Sequence, residues 1–150
     1  MASLADIEAA IPALAGTNYS EESLATEEYN CIAYAFGDTK NPWWPKEKGY
    51  GYYWPPGFDQ DDSVDTLKSI FRVHGYSDCD NKEHQVGYEK VAIYSRNGKF
   101  LHAARQLQSG RWASKLGDEQ DIEHERVEHV TGDAYGEDIH VMRKRREDWT

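Results

Sequence analysis

The segment from Asn41 to Phe58 constrains the fold of this chain more than any other. It reads Asn-Pro-Trp-Trp-Pro-Lys-Glu-Lys-Gly-Tyr-Gly-Tyr-Tyr-Trp-Pro-Pro-Gly-Phe, with four prolines and three glycines. Proline fixes φ and removes an amide donor, so neither a long helix nor a central strand fits here. The pattern predicts a loop over residues 41–60. Seven of the chain's nineteen aromatic residues lie between Trp43 and Phe58, too many large rings for a disordered segment. Ordered loops of this length tend to serve a site. Trp43, Trp44 and Trp54 are therefore candidate substrate-binding residues. The plainer alternative is that they pin a proline-rich loop onto the core.

The loop interrupts helical patterns, and strands follow. Leu4, Ile7, Ile11 and Leu14 recur at helical spacing, with Pro12 keeping that helix short. Residues 17–25 read as a connection. A second helix is predicted over 27–36, with Tyr29, Ile32, Ala33 and Phe36 as its apolar stripe and Gly37 as its stop. A third spans 63–74, capped by Asp61, Asp62 or Ser63, and buries Val64, Leu67, Ile70 and Phe71. The period then changes to two, predicting strands over 90–95, 99–107 and 111–116, a helix over 121–130 and a last strand over 139–143. The reading is a single α+β domain over 1–150, with N-terminal helices packed on a small antiparallel sheet.

The central hairpin can be read more finely. Matching the apolar sets Val91/Ile93 and Leu101/Ala103 favours a three-residue turn, Arg96 to Gly98, pairing Ile93 with Leu101. Lys90, Ala92, Tyr94, His102 and Ala104 then share the other face.

Charge excludes some partners. With 27 acids against 17 bases the net charge is −10, which disfavours nucleic acids and anionic membranes. No stretch approaches the ~20 apolar residues of a membrane span, and the first residues carry acids where an export signal needs bases. The cytoplasm is the expected location, with Cys31 and Cys79 reduced. No CxxC pair and no glycine-rich phosphate loop occurs, so neither a metal nor a cofactor is expected.

Chemistry concentrates at Cys31. If Asn30 caps the second helix, Cys31 sits at its positive end, which favours thiolate; if Thr26 caps it, most of that benefit is lost. His102, mid-strand between small neighbours, is the best base for it. Cys79 lies in an acidic loop, Ser77-Asp78-Cys79-Asp80-Asn81, and is a poor nucleophile. His124 and His129 are five apart rather than four, so the run between them is no zinc-protease helix but a solvated helix face. His74, His84 and His140 show no partner pattern. Arg143-Lys144-Arg145-Arg146 reads as a solvated end.

Lys90-Val91-Ala92-Ile93-Tyr94-Ser95-Arg96-Asn97-Gly98-Lys99-Phe100-Leu101-His102-Ala103 resembles the central hairpin of NlpC/P60-type members of the papain-like superfamily, and Asn30-Cys31 fits their nucleophile position. More closely, Tyr29-Asn30-Cys31-Ile32-Ala33-Tyr34-Ala35, His102-Ala103-Ala104-Arg105-Gln106 and Gly110-Arg111-Trp112-Ala113-Ser114-Lys115-Leu116-Gly117 are similar to a family of uncharacterised bacterial domains, over roughly residues 28–143.

The superfamily resemblance implies a papain-like, NlpC/P60-like fold and a cysteine nucleophile attacking an amide. The sequence departs from it at the base: Lys90 occupies that position, and His102 falls where an orienting residue belongs. Two expectations follow. In the first, the protein is a cysteine hydrolase or acyltransferase, peptidase- or amidase-like, acting on a peptide, small amide or thioester. Cys31 is its nucleophile and His102 its base, with Ser114, Lys115 or Gln106 orienting the base, and backbone amides near the start of the Cys31 helix, beside Asn30, receiving the oxyanion. In the second, the fold is catalytically inactive and binds a peptide or protein partner through its aromatic loop. An aromatic platform for carbohydrate is a weaker third.

Overall fold

The computed structural model describes residues 2–46 and 51–149; residues 47–50 of the aromatic loop lie outside them. The chain runs α1 (Leu4–Ala10), β1 (Ser20–Glu21), α2 (Cys31–Ala35), α3 (Val64–Val73), β2 (Ser77–Cys79), β3 (Tyr88–Arg96), β4 (Lys99–Gln106), β5 (Trp112–Lys115), β6 (Asp121–His124) and β7 (Asp138–Arg145), with 3-10 turns at Pro12–Leu14 and Val127–Val130.

The seven strands form one sheet in the order β1-β6-β5-β4-β3-β7-β2, antiparallel at every pairing. This overturns the expected architecture of N-terminal helices on a small sheet, and the papain-like fold with it. The sheet is the body of the molecule and the helices are short attachments. Pro12 follows α1 almost at once, and α2 has only five residues. Meanwhile β1, β2 and β6 are strands of two to four mostly polar residues, too short to display a period of two.

The predicted helix over 121–130 is one of the losses. Its first four residues pair with β5, Ser114 opposite Ile122 and Trp112 opposite His124. Cross-strand packing outweighs helix propensity in so short a segment.

The sheet separates two cores. Val91, Ile93, Phe100, Ala103 and Met142 face α2, α3 and the aromatic loop. Ala92, Tyr94, Ala104 and Val141 face α1, the 3-10 turns and Trp112. Because β3 is covered on both faces, it is buried along nearly its whole length. Among the predicted helices, α3 is the clearest. Ser63 Oγ accepts from the Thr66 amide at 3.1 Å, and Leu67, Ile70 and Phe71 are fully buried.

The β3–β4 turn corrects the three-residue reading. Arg96 pairs with Lys99, leaving Asn97-Gly98 as a two-residue loop with φ of 54° and 79°, the left-handed conformations a type I′ turn needs. Register is restored by a bulge. Tyr94 pairs with His102 but Ser95 with Phe100, so Leu101 is the extra residue. Ile93 therefore meets Ala103 rather than Leu101. The bulge turns Leu101 away from the core and into a cleft, a common use of bulges beside sites.

The edge of β4 that faces β5 is shared among three partners. At its start the Phe100 amide donates to Asp62 O, and Gly98 O accepts from Val64. At its end Arg105 and Gln106 pair with β5. The middle, around Leu101 to Ala103, is where the start of α2 arrives. A central strand with unpaired amides must satisfy them with something, and Cys31 is what lies there.

Candidate active site

Asn30 builds the position of Cys31. Its backbone is extended, and its side-chain oxygen accepts from the Ala33 amide at 3.1 Å and from the Trp43 amide at 3.0 Å. Its Nδ2 donates to Trp43 O at 2.7 Å. One carboxamide thus caps α2 and clamps the aromatic loop to it, and of the two cap alternatives Asn30 is the one used. Cys31 is the first helical residue.

The thiol is buried. The amides of Ala103, Ile32 and Cys31 itself point at the sulfur, and the Lys115 ammonium lies near enough to favour thiolate. Burial outweighs them all and pushes the thiol up to about 11. Lys115 is buried too, donating to the carbonyls of Thr26 (2.9 Å), Gly117 (2.6 Å) and Glu119, and desolvation lowers its own pKa.

Three buried side chains stand in a line on the other side of β4. His102 Nε2 lies 3.0 Å from Ser114 Oγ, Ser114 Oγ lies 2.8 Å from His124 Nε2, and His124 Nδ1 lies 2.9 Å from Arg126 O. A carbonyl only accepts, so His124 donates from Nδ1. Burial brings the His124 imidazole down to about 4. It is therefore neutral at pH 7, and its Nε2 accepts the Ser114 hydroxyl proton. The serine oxygen in turn accepts from His102 Nε2. Desolvation also holds His102 well below its usual 6.5, with the neighbouring His124 adding to it. The direction of the chain fixes one result: His102 Nδ1 carries a bare lone pair. That atom is buried and has no hydrogen-bond partner among the described residues.

Tyr135 links the two halves. Its ring stacks on His102 with centroids 3.9 Å apart and planes 12° from parallel. It also lines, with Cys31, a cleft of about 480 Å³ whose other walls include Asn30, Trp44, Leu101 and Asp118. No hydrogen bond joins Cys31 to His102. The thiol sits instead beside the peptide between His102 and Ala103, whose amide it faces.

The predicted site residues separate accordingly. Of the three candidates to orient His102, Ser114 is the one in contact. Lys115 acts on the thiol's electrostatics. Gln106 lies away from His102 and donates to Gly110 O at 3.2 Å. Lys90 is outside the site, donating to the carbonyls of Asn81 and Glu83. Trp44 lines the cleft, whereas Trp43 and Trp54 are core residues. Trp43 stacks on Phe36 and Trp54 on Phe100, which removes the exposed platform a carbohydrate binder needs. Among the described residues no cluster of His, Cys, Asp or Glu is placed to hold a metal ion, and no helix is long and apolar enough to cross a membrane.

The sequence reading missed His124, taken for a solvated helix face, and Tyr135. Pairing with β5 turns His124 inward with Ile122, and four residues are too few to signal that from sequence. Tyr135 leaves only the faint signal of an aromatic bracketed by glycines.

The family model that matches is a domain of unknown function, DUF7689, over residues 20–143. The chain belongs to this family. The DUF7689 match spans Cys31, His102, Ser114, Lys115, His124 and Tyr135, and leaves α1 outside it. No curated protein and no solved structure matches the chain.

The two neutral histidines predict how this DUF7689 chain responds to acid. Unfolded, each takes up a proton near 6.5; folded, each resists protonation to a lower pH. The unfolded state thus binds more protons as pH falls through 6.5, and stability falls with it. Between about pH 7 and about pH 5 His124 removes about 2 kcal/mol, and His102 adds to the loss in the same direction. Urea unfolding at the two pH values should show the midpoint dropping at constant slope. An unchanged midpoint contradicts their neutral burial.

Proposed function

We propose that the chain is a thiol-dependent hydrolase or acyltransferase acting on an amide or thioester, with Cys31 as nucleophile and His102 Nδ1 as base. One observation carries the reading: the directed chain from Arg126 O through His124 and Ser114 leaves His102 with a buried, unpartnered lone pair beside the peptide that faces a cysteine thiol. An oriented, neutral imidazole is the base that such catalysis requires, and the protonated thiol lies one peptide away from it, beside the Ala103 amide. Both cysteines are free thiols, which suits a reducing compartment such as the cytoplasm. The reading rests on these residues and not on a papain-like architecture.

As a carbonyl substrate fills the cleft, the Cys31 thiol comes within reach of Nδ1, a contact that forms in the complex rather than in the free protein. Nδ1 takes the thiol proton as the sulfur bonds to the carbonyl carbon. The C–N or C–S bond then breaks, and the leaving amine or thiol takes that proton from the imidazolium. Water, or an acceptor nucleophile, loses a proton to His102 as it attacks the carbonyl carbon of the S-acyl enzyme; the S–C bond then breaks, and the imidazolium returns the proton to the Cys31 sulfur as product leaves.

A second reading has its own support. A thiol pushed up to about 11, with no hydrogen bond to the histidine, is what a non-catalytic binding module for a peptide or protein would show. Exposure to p-nitrophenyl acetate, followed by mass spectrometry, separates the two. Catalysis predicts acetylation at Cys31, slow release of acetate, and no adduct there in Cys31→Ser. Labelling confined to Cys79 and surface lysines leaves the binding reading standing.

A further inference from the structure

We propose that the Tyr135 hydroxyl is a catalytic donor that receives the substrate's carbonyl oxygen as Cys31 attacks; the inference rests on the hydrolase reading and goes beyond it. When sulfur adds to a carbonyl, the oxygen becomes an anion, and fixed donors aimed at it lower the barrier. The donors around Cys31 are nearly all committed. The Ala33 amide donates to Asn30. The Lys115 ammonium has three carbonyl partners. His102 spends its N–H on Ser114. The amides of Cys31, Ile32 and Ala103 point at the sulfur. The Tyr135 side chain lines the same cleft as the thiol, its hydroxyl has no hydrogen-bond partner among the described residues, and its ring lies on the base itself.

The loop that carries Tyr135 is held rigidly. Gly132 and Gly136 bond to each other reciprocally, at 3.2 and 2.7 Å. Arg96 donates to the carbonyls of Gly132 (2.9 Å) and Asp133 (3.2 Å), which ties the loop to the β3–β4 turn. Gly136 packs directly on the Ser95 carbonyl. A donor preorganised in this way costs no reorganisation when charge develops. Burial raises the phenol's pKa, so the proton needed for donation stays in place. The carbonyl oxygen that this hydroxyl meets belongs to an acyl group entering between Leu101 and Tyr135.

Tyr135→Phe keeps the ring and its stacking on His102 and removes only the hydroxyl. Two probes separate an oxyanion donor from a structural part. Acylation by p-nitrophenyl acetate passes through a tetrahedral oxyanion; alkylation by iodoacetamide does not. The expected result is an acylation rate at Cys31 reduced about 10²- to 10³-fold, with the alkylation rate and the melting temperature unchanged. Equal loss in both reactions assigns Tyr135 a structural role and overturns the inference, as does unchanged acylation. Failure of the wild-type chain to acylate at Cys31 defeats the hydrolase reading itself, and this inference with it.

Discussion

Replacing His102 should slow acylation of Cys31 by about 10²- to 10⁴-fold, the usual contribution of a positioned base. His102→Gln is the sharper variant, because its carboxamide can still donate to Ser114 while offering no basic nitrogen. His102→Ala removes both functions and opens a void beneath Tyr135, so its loss mixes chemistry with packing. Both variants should leave Cys31 intact but unassisted, with a rate that climbs with pH toward the thiol's own ionisation near 11. The wild-type rate should instead hold level through neutral pH and fall only as His102 takes up a proton, below its usual 6.5. A loss of less than about fivefold in His102→Gln is too small for a general base and contradicts the assignment.

The second large effect is on stability. A Cβ added at Gly136 would lie 2.3 Å from Ser95 O and 2.7 Å from its carbonyl carbon, at a φ of 86°. Those neighbours are backbone atoms of β3, paired on both sides within the sheet, and they cannot move aside as a flexible side chain can. Left-handed strain and overpacking together should cost Gly136→Ala about 2–5 kcal/mol, a fall in melting temperature of about 5–15 °C for a chain of this size. Calorimetry checks this directly. The same substitution should lift Tyr135 from His102, so acylation falls even at temperatures where the variant is folded. By contrast Gly98, which also has positive φ, meets nothing within 4 Å of its added Cβ, and Gly98→Ala should lose only the conformational part. Similar losses in the two variants contradict the close-approach argument.

What the sequence disclosed follows from how each element is stabilised. The helix α3 was legible because its apolar stripe and Ser63 cap are local patterns. The two faces of β3 and β4 were legible because period two survives even where the pairing partner is unknown. Their exact register was not, since it depends on one bulged residue, Leu101, whose position answers to the Cys31 helix and not to the hairpin. The extent of the sheet was also hidden. Ser20–Glu21 and Ser77–Cys79 become strands through pairing with distant segments, and Asp121–His124 through pairing with the neighbouring β5 and with β1; nothing in their own composition requires it.

The site divides in the same way. Asn30-Cys31 announces a capped helix, and His102 stands out among small neighbours. Ser114 was one of three orienting candidates until tertiary contact selected it. His124 looked solvated because its environment is assembled by β5 and by the carbonyl of Arg126.

The central claim is that His102 is a neutral base with its lone pair on Nδ1. Nitrogen NMR of the imidazoles in ¹⁵N-histidine-labelled protein at neutral pH, with His102→Gln to assign the resonance, tests it most directly. The account predicts an unprotonated Nδ1 and a protonated Nε2 for His102, and loss of that single-tautomer signature in Ser114→Ala. A proton on Nδ1, or an imidazolium, at neutral pH would contradict it.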